Sequence, residues 1–145
     1  MSIRSRVLSL LFAILLLGCS PDLSDDAIPF VNFSDIVMNL SLPAYSDLQT
    51  KGYLYVNNGG VKGIIVYKVN SSLYYAFERN CSYTPNNACA TVEVDPTGLF
   101  MKDPCCGSLF NMGGEPTGGP AWRPLRKYQA VLTSNVLTIT DDIAN

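Results

Sequence analysis

Cys81-Ser82-Tyr83-Thr84-Pro85-Asn86-Asn87-Ala88-Cys89 and Asp103-Pro104-Cys105-Cys106-Gly107-Ser108 are the two stretches on which the reading of this chain turns. Together they hold four of its five cysteines, and the chain has no histidine. Without imidazole there is no Ser-His-Asp or Cys-His catalysis, no His-ligated zinc or haem, and no histidine proton shuttle. Four cysteines permit three pairings. A bridge between the neighbours Cys105 and Cys106 is disfavoured, because the preferred Cα separation of ~5.5 Å exceeds the ~3.8 Å between adjacent residues. Two crossed-loop pairings remain, and spacing alone leaves both open. Either closes loops of roughly 15–25 residues, worth ~3 kcal/mol each in the chain-entropy picture.

Outward from the two boxes the sequence reads as short strands. Between them, Thr91-Val92-Glu93-Val94 and Leu99-Phe100-Met101-Lys102 flank Asp95-Pro96-Thr97-Gly98 as a hairpin. Upstream, Tyr53-Leu54-Tyr55-Val56 and residues 61–69 flank Asn57-Asn58-Gly59-Gly60, whose residues tolerate positive φ. Residues 73–78 form an aromatic-rich strand, and residues 30–37 open the set. Downstream, residues 128–132 and 136–140 pair across Ser134-Asn135, beyond a Gly/Pro-rich stretch at 113–124. The best helical segment is residues 43–50, one or two turns long. At 145 residues the chain is one domain's length. With 48% hydrophobic and 15% charged residues it is globular, and a net charge of −2 argues against nucleic acid, whose binders carry a basic face.

The N-terminus is an address. Arg4 and Arg6 precede an apolar run at 7–17, too short for the ~20 residues of a bilayer-spanning helix. The run ends Leu16-Leu17-Gly18-Cys19. This resembles the lipobox of bacterial lipoproteins, which implies cleavage before Cys19 and attachment to a lipid membrane through its acylated amine and thiol. Residues 1–18 are then the lipoprotein signal peptide, residues 19–29 an acidic tether, and residues 30–145 the domain. Ser20 suits outer-membrane sorting, and Ser24-Asp25-Asp26 is similar to an acidic surface-export tag. The expected location is the bacterial cell envelope, lipid-anchored at the outer membrane, on its periplasmic or surface face. The four remaining cysteines, an even number in an oxidising compartment, read as two disulfides.

The boxes, with Gly119-Pro120-Ala121 and Pro124-Leu125 after them, resemble a Rieske [2Fe–2S] domain of the iron–sulfur-protein (ISP) type. That family carries Cys-x-His in one loop, Cys-Pro-Cys-His-Gly-Ser in the other, and a Gly-Pro-Ala segment over the cluster. The resemblance covers residues 60–140. It implies an all-β fold: a small antiparallel β-sandwich or barrel with a two-loop tip subdomain. Carried across, Cys81 matches the first ligand cysteine and Tyr83 falls where the first histidine belongs. Asp103 falls where the second ligand cysteine belongs, and Cys106 where the second histidine belongs. One of the four cluster-ligand positions is kept. The family's loop-bridging disulfide maps onto Cys89 and Cys105, leaving Cys81 with Cys106 as a second bridge across the former cluster pocket.

The expectation is therefore a Rieske-like lipoprotein without catalytic residues, metal or cofactor, serving a binding or structural role beside an envelope protein partner. The alternative is an electron-transfer protein with a nonstandard [2Fe–2S] cluster, or a site in which Cys81, Asp103 and Cys106 hold a cluster or zinc with Cys89 or Cys105 as a fourth ligand. Tyr83 fills the space a lost cofactor vacates. Trp122 is either an exposed anchor for a partner or packs under the Pro-rich loop. Arg123, Arg126 and Lys127 read as a solvated basic face.

Overall fold

The computed structural model describes residues 27–144. The expected signal peptide, Cys19 and the expected tether up to residue 26 lie outside them. No helix among the described residues is long and apolar enough to cross a membrane.

Among the described residues, ten strands form two antiparallel sheets. The larger sheet contains β1 (Ile36–Asn39), β2 (Tyr53–Val56), β3 (Ile64–Lys68), β4 (Tyr74–Glu78), β9 (Lys127–Thr133) and β10 (Val136–Ile143), in the order β1-β10-β9-β4-β3-β2. The smaller contains β5 (Glu93–Val94), β6 (Met101–Lys102), β7 (Leu109–Phe110) and β8 (Pro116–Gly118), in chain order. A 3₁₀ turn (Pro43–Tyr45) and helix α1 (Asp47–Thr50) lie between β1 and β2, where one or two helical turns are expected from sequence.

The two-residue period of the strands builds two cores, one on each face of the large sheet. Ile64 and Val66 of β3 point into one, and Ile65 into the other. The first core gathers inward residues from every strand of the large sheet, including Met38, Val56, Ala76 and Leu137, so the sheet curls around its own interior. Phe33 stacks edge-on against the buried Tyr128 there, with ring centroids 5.1 Å apart. The second core lies between the sheets and holds Phe77, Val92, Met101, Phe110 and Leu125 together with Cys81. The Tyr55 hydroxyl accepts the Val94 backbone N–H at 2.9 Å and ties the edge of one sheet to the other. This is the all-β, curled antiparallel architecture expected from the sequence.

Several boundaries differ from expectation. The opening strand is Ile36–Asn39 rather than residues 30–37, because its ladder partner is residues 136–139 of β10. The turn after β2 extends over residues 57–63, since Gly60 and Gly63 both take positive φ and the register resumes at Val56–Ile64. β7 and β8 lie in stretches without strand periodicity; β8 is Pro116–Gly118, inside the Gly/Pro-rich segment. Residues 28 and 29, expected from sequence to belong to the tether, are held against the domain. Ile28 is buried, and Arg126 donates hydrogen bonds to the carbonyls of Ile28 and Pro29.

Candidate functional site

The two loops expected to face each other do so at the end of the small sheet. The first follows β4. Its base is fixed by Glu78, whose Oε2 accepts the Val61 N–H and the Tyr128 hydroxyl, each at 2.8 Å. Its Oε1 accepts the N–H groups of Lys62 at 3.0 Å and Asn80 at 2.9 Å. Lys62 then reaches over the loop and donates through Nζ to the carbonyls of Asn87, Ala88 and Ala90 at 2.8–3.0 Å. The second loop leaves β6 at Asp103 and turns back through Gly107, which has φ +77°.

A disulfide joins Cys89 to Cys105, with the Cα atoms 5.6 Å apart. The bridge implied by the family pattern is therefore present. The expected second bridge is not: Cys81 and Cys106 are thiols whose sulfurs stand 3.9 Å apart. The reason is where Cys106 points. Its Sγ lies 3.4 Å from Asp103 Oδ2 and 3.0 Å from Ser108 Oγ, so it turns toward oxygen atoms of its own loop. Cys81, Asp103 and Cys106 place one donor atom each within 4.8 Å of one another.

The surroundings hold these groups in place. Cys81, Asp103 and Ser108 are fully buried, while Cys106 is partly exposed. Asp103 Oδ1 accepts the Cys105 N–H at 2.8 Å, which leaves Oδ2 for the sulfur side. Ser108 Oγ accepts the Ala121 N–H at 3.0 Å, and Ser82 donates to the Arg123 carbonyl at 2.7 Å. Residues 119–123 are thus tied down over both loops, as the resemblance implies for the covering segment. Burial, the largest influence, pushes the Cys81 thiol well above its ordinary range. The Tyr83 backbone N–H, which hydrogen-bonds to this cysteine, pulls the other way, and Asp103 and Cys106 push it up further.

Of the four cluster-ligand positions, Cys81, Asp103 and Cys106 converge; Tyr83 packs, half-buried, against the second core. A Rieske centre takes two cysteines on one iron and two histidines on the other. The side chains here do not make up that set: imidazole is absent, and three donors gather at one point rather than two pairs at opposite ends of a two-iron unit. Trp122 is half exposed on the covering segment, with the Arg123 guanidinium 4.3 Å from its ring centroid, so it does not pack beneath the loop. The expected solvated basic face is engaged instead: Arg126 holds the chain at Ile28 and Pro29, and Lys127 Nζ lies 5.0 Å from the Tyr75 ring centroid.

Glu78 and Lys62 escape a motif-based reading. The signal for Glu78 is its register, since Tyr74, Ala76 and Glu78 share one face of β4 and that face is core.

Two antiparallel sheets, two cysteine loops bridged at their tip and a Gly-Pro-Ala cover define a Rieske-like domain in which the usual cluster ligands are degenerate. Among solved structures, the chain is similar to the cyanobacterial plasma membrane Rieske protein PetC3 from Synechocystis PCC 6803. The two share 26% identity with a TM-score of 0.52, over 66% of this chain and 92% of that one. No family model matches the chain, and no curated protein does.

Proposed function

We propose that this chain is an extracytoplasmic lipoprotein, anchored in the cell envelope through acylated Cys19 at the outer membrane. In this reading its Rieske-like domain works without a [2Fe–2S] cluster, in a binding or structural role. The observation that carries the reading is the donor set. The chain has no imidazole, one family ligand position is a tyrosine turned to packing, and another is an aspartate. Similarity to a plasma membrane Rieske protein supports an envelope setting. The half-exposed Trp122, on the segment covering the loops, is the anchor offered to an envelope partner.

The rival is an electron carrier with a nonstandard [2Fe–2S] cluster, favoured by the two thiols at the former cluster position. Visible absorption and EPR of full-length protein, made with intact iron–sulfur assembly, separate the two. The cluster-free reading expects a colourless, EPR-silent protein after reduction; a stoichiometric two-iron signal defeats it. Metabolic palmitate labelling, lost on Cys19→Ala, tests the anchor.

A further inference from the structure

We propose that Cys81, Asp103 and Cys106 bind a single thiophilic divalent ion of the zinc class, in place of a two-iron cluster. This rests on the cluster-free reading above and goes one step past it. The geometry carries the argument. A tetrahedral zinc, with Zn–S ~2.3 Å and Zn–O ~2.0 Å, sets two sulfurs about 3.8 Å apart and a sulfur about 3.5 Å from a carboxyl oxygen. Cys81 Sγ and Cys106 Sγ are 3.9 Å apart, and Cys106 Sγ is 3.4 Å from Asp103 Oδ2. Both edges are those of one tetrahedral ion, with all three donors inside 4.8 Å of one another.

The shell around the donors matches the assignment. Metal ligands are oriented by partners on their other atoms. Asp103 has one oxygen tied to the Cys105 N–H and presents the other as a single donor. The Cys81 sulfur receives the Tyr83 N–H, which fixes its orientation. Asp103 is fully buried, yet it takes part in neither lysine pair, Lys51–Asp47 or Lys102–Asp95. A buried carboxyl group near two sulfurs gains from a bound cation. Cys89 and Cys105, in the same two loops, are bonded to each other, so the site has three protein ligands and not the fourth cysteine considered from sequence. The fourth corner is left to water or a small exogenous ligand, on the side where Cys106 is partly exposed.

The test uses the full-length chain, stripped with chelator under mild reduction and titrated with Co²⁺ alone, then Zn²⁺. The expected result is one cobalt per chain. It should show a thiolate-to-cobalt band in the near ultraviolet and the strong visible bands of a tetrahedral ion, both erased by one equivalent of zinc. Asp103→Asn keeps an acceptor for the Cys105 N–H and should weaken binding by at least tenfold, while Cys106→Ser should remove about half of the charge-transfer intensity, the share of one of two thiolates. Two irons with two labile sulfides in native material would overturn this inference and the cluster-free reading together. Weak octahedral cobalt bands, no binding at millimolar metal, or a Cys81–Cys106 disulfide that resists mild reduction would overturn this inference and leave that reading standing.

Discussion

The Tyr128 hydroxyl donates to Glu78 Oε2 at 2.8 Å, joining β9 to the end of β4 inside the first core. The same carboxyl group collects the N–H groups of Val61, Lys62 and Asn80. One buried acid therefore links the large sheet, the β2–β3 turn and the start of the first cysteine loop. Gly60 makes room for it: at φ +69°, a Cβ there would fall on the Glu78 carboxyl.

Replacing this acid should be costly. Glu78→Ala leaves four buried or half-buried donors without their acceptor, and we expect a loss of about 3 kcal/mol, against about 1 kcal/mol for Tyr128→Phe. The double variant should lose less than the sum, because the two groups are partners. Urea midpoints at constant m-value measure all three. A Glu78→Ala protein within about 0.5 kcal/mol of the parent, the range of ordinary surface changes, would remove Glu78 from the account.

Stability should fall in alkali. Burial, reinforced by Glu78, raises the Tyr128 pKa, while Arg126 opposes the shift. Burial likewise raises Tyr55, with the Val94 N–H pulling down. Both phenols thus keep their protons in the fold beyond the point, about pH 10, at which they ionise in the unfolded chain. A raised folded pKa gives a contribution that is complete below about pH 10 and is lost as the pH rises toward the folded value. Unfolding midpoints between about pH 8 and about pH 11 should decline at the upper end, and decline less steeply in Tyr128→Phe. A midpoint that climbs across this range contradicts the assignment.

What is legible in the sequence divides along physical lines. The hairpin around residues 57–60 and the paired strands near the C-terminus are readable, because alternating apolar residues and turn residues are local signals. The two cysteine boxes, read against the Rieske pattern, locate the loops and the Cys89–Cys105 bridge. β7 and β8 are not readable: two or three residues carry no periodicity, and Pro116–Gly118 is a strand only because Leu109 and Phe110 lie beside it. The rotamer of Cys106 is also beyond sequence. Whether it faces Cys81 as a bond or Asp103 and Ser108 as a thiol depends on oxygen atoms placed by the loop itself.

Thiol chemistry should separate the two cysteine pairs. Denatured, unreduced and metal-free protein should yield two titratable thiols from the domain, Cys81 and Cys106. Four would mean that Cys89–Cys105 is not bonded, and none would mean that the second bridge forms after all. Removing the bond with the double variant Cys89→Ser, Cys105→Ser should lower stability by about 3 kcal/mol, the entropy of closing a loop of this length. The two residues are 16 apart in sequence.

The cover over the loops should fail at a single glycine. Gly119 sits at φ +76°, and a Cβ there would come within 2.5 Å of the Gly107 carbonyl oxygen and 2.7 Å of Ser108 Cα. Both neighbours are backbone, so the side chain cannot be accommodated by a rotamer change. Gly119→Ala combines a left-handed backbone with a clash and should lose about 1–3 kcal/mol. The more informative effect is local. Lifting residues 119–123 frees Ser108 Oγ from the Ala121 N–H and opens the side of the pocket on which Cys106 already has some exposure. Reaction of the native, metal-free protein with a thiol reagent should therefore speed up at Cys106 by tenfold or more, with Cys81 remaining the slower of the pair. Gly98→Ala is the control, because its φ is also positive at +71° while nothing lies within 4 Å of a Cβ there. It should share the backbone strain and leave both thiols at their original rates. Equal acceleration in the two variants would assign the effect to general loosening, and the close approach of Gly119 to Gly107 would then not be what shields the site.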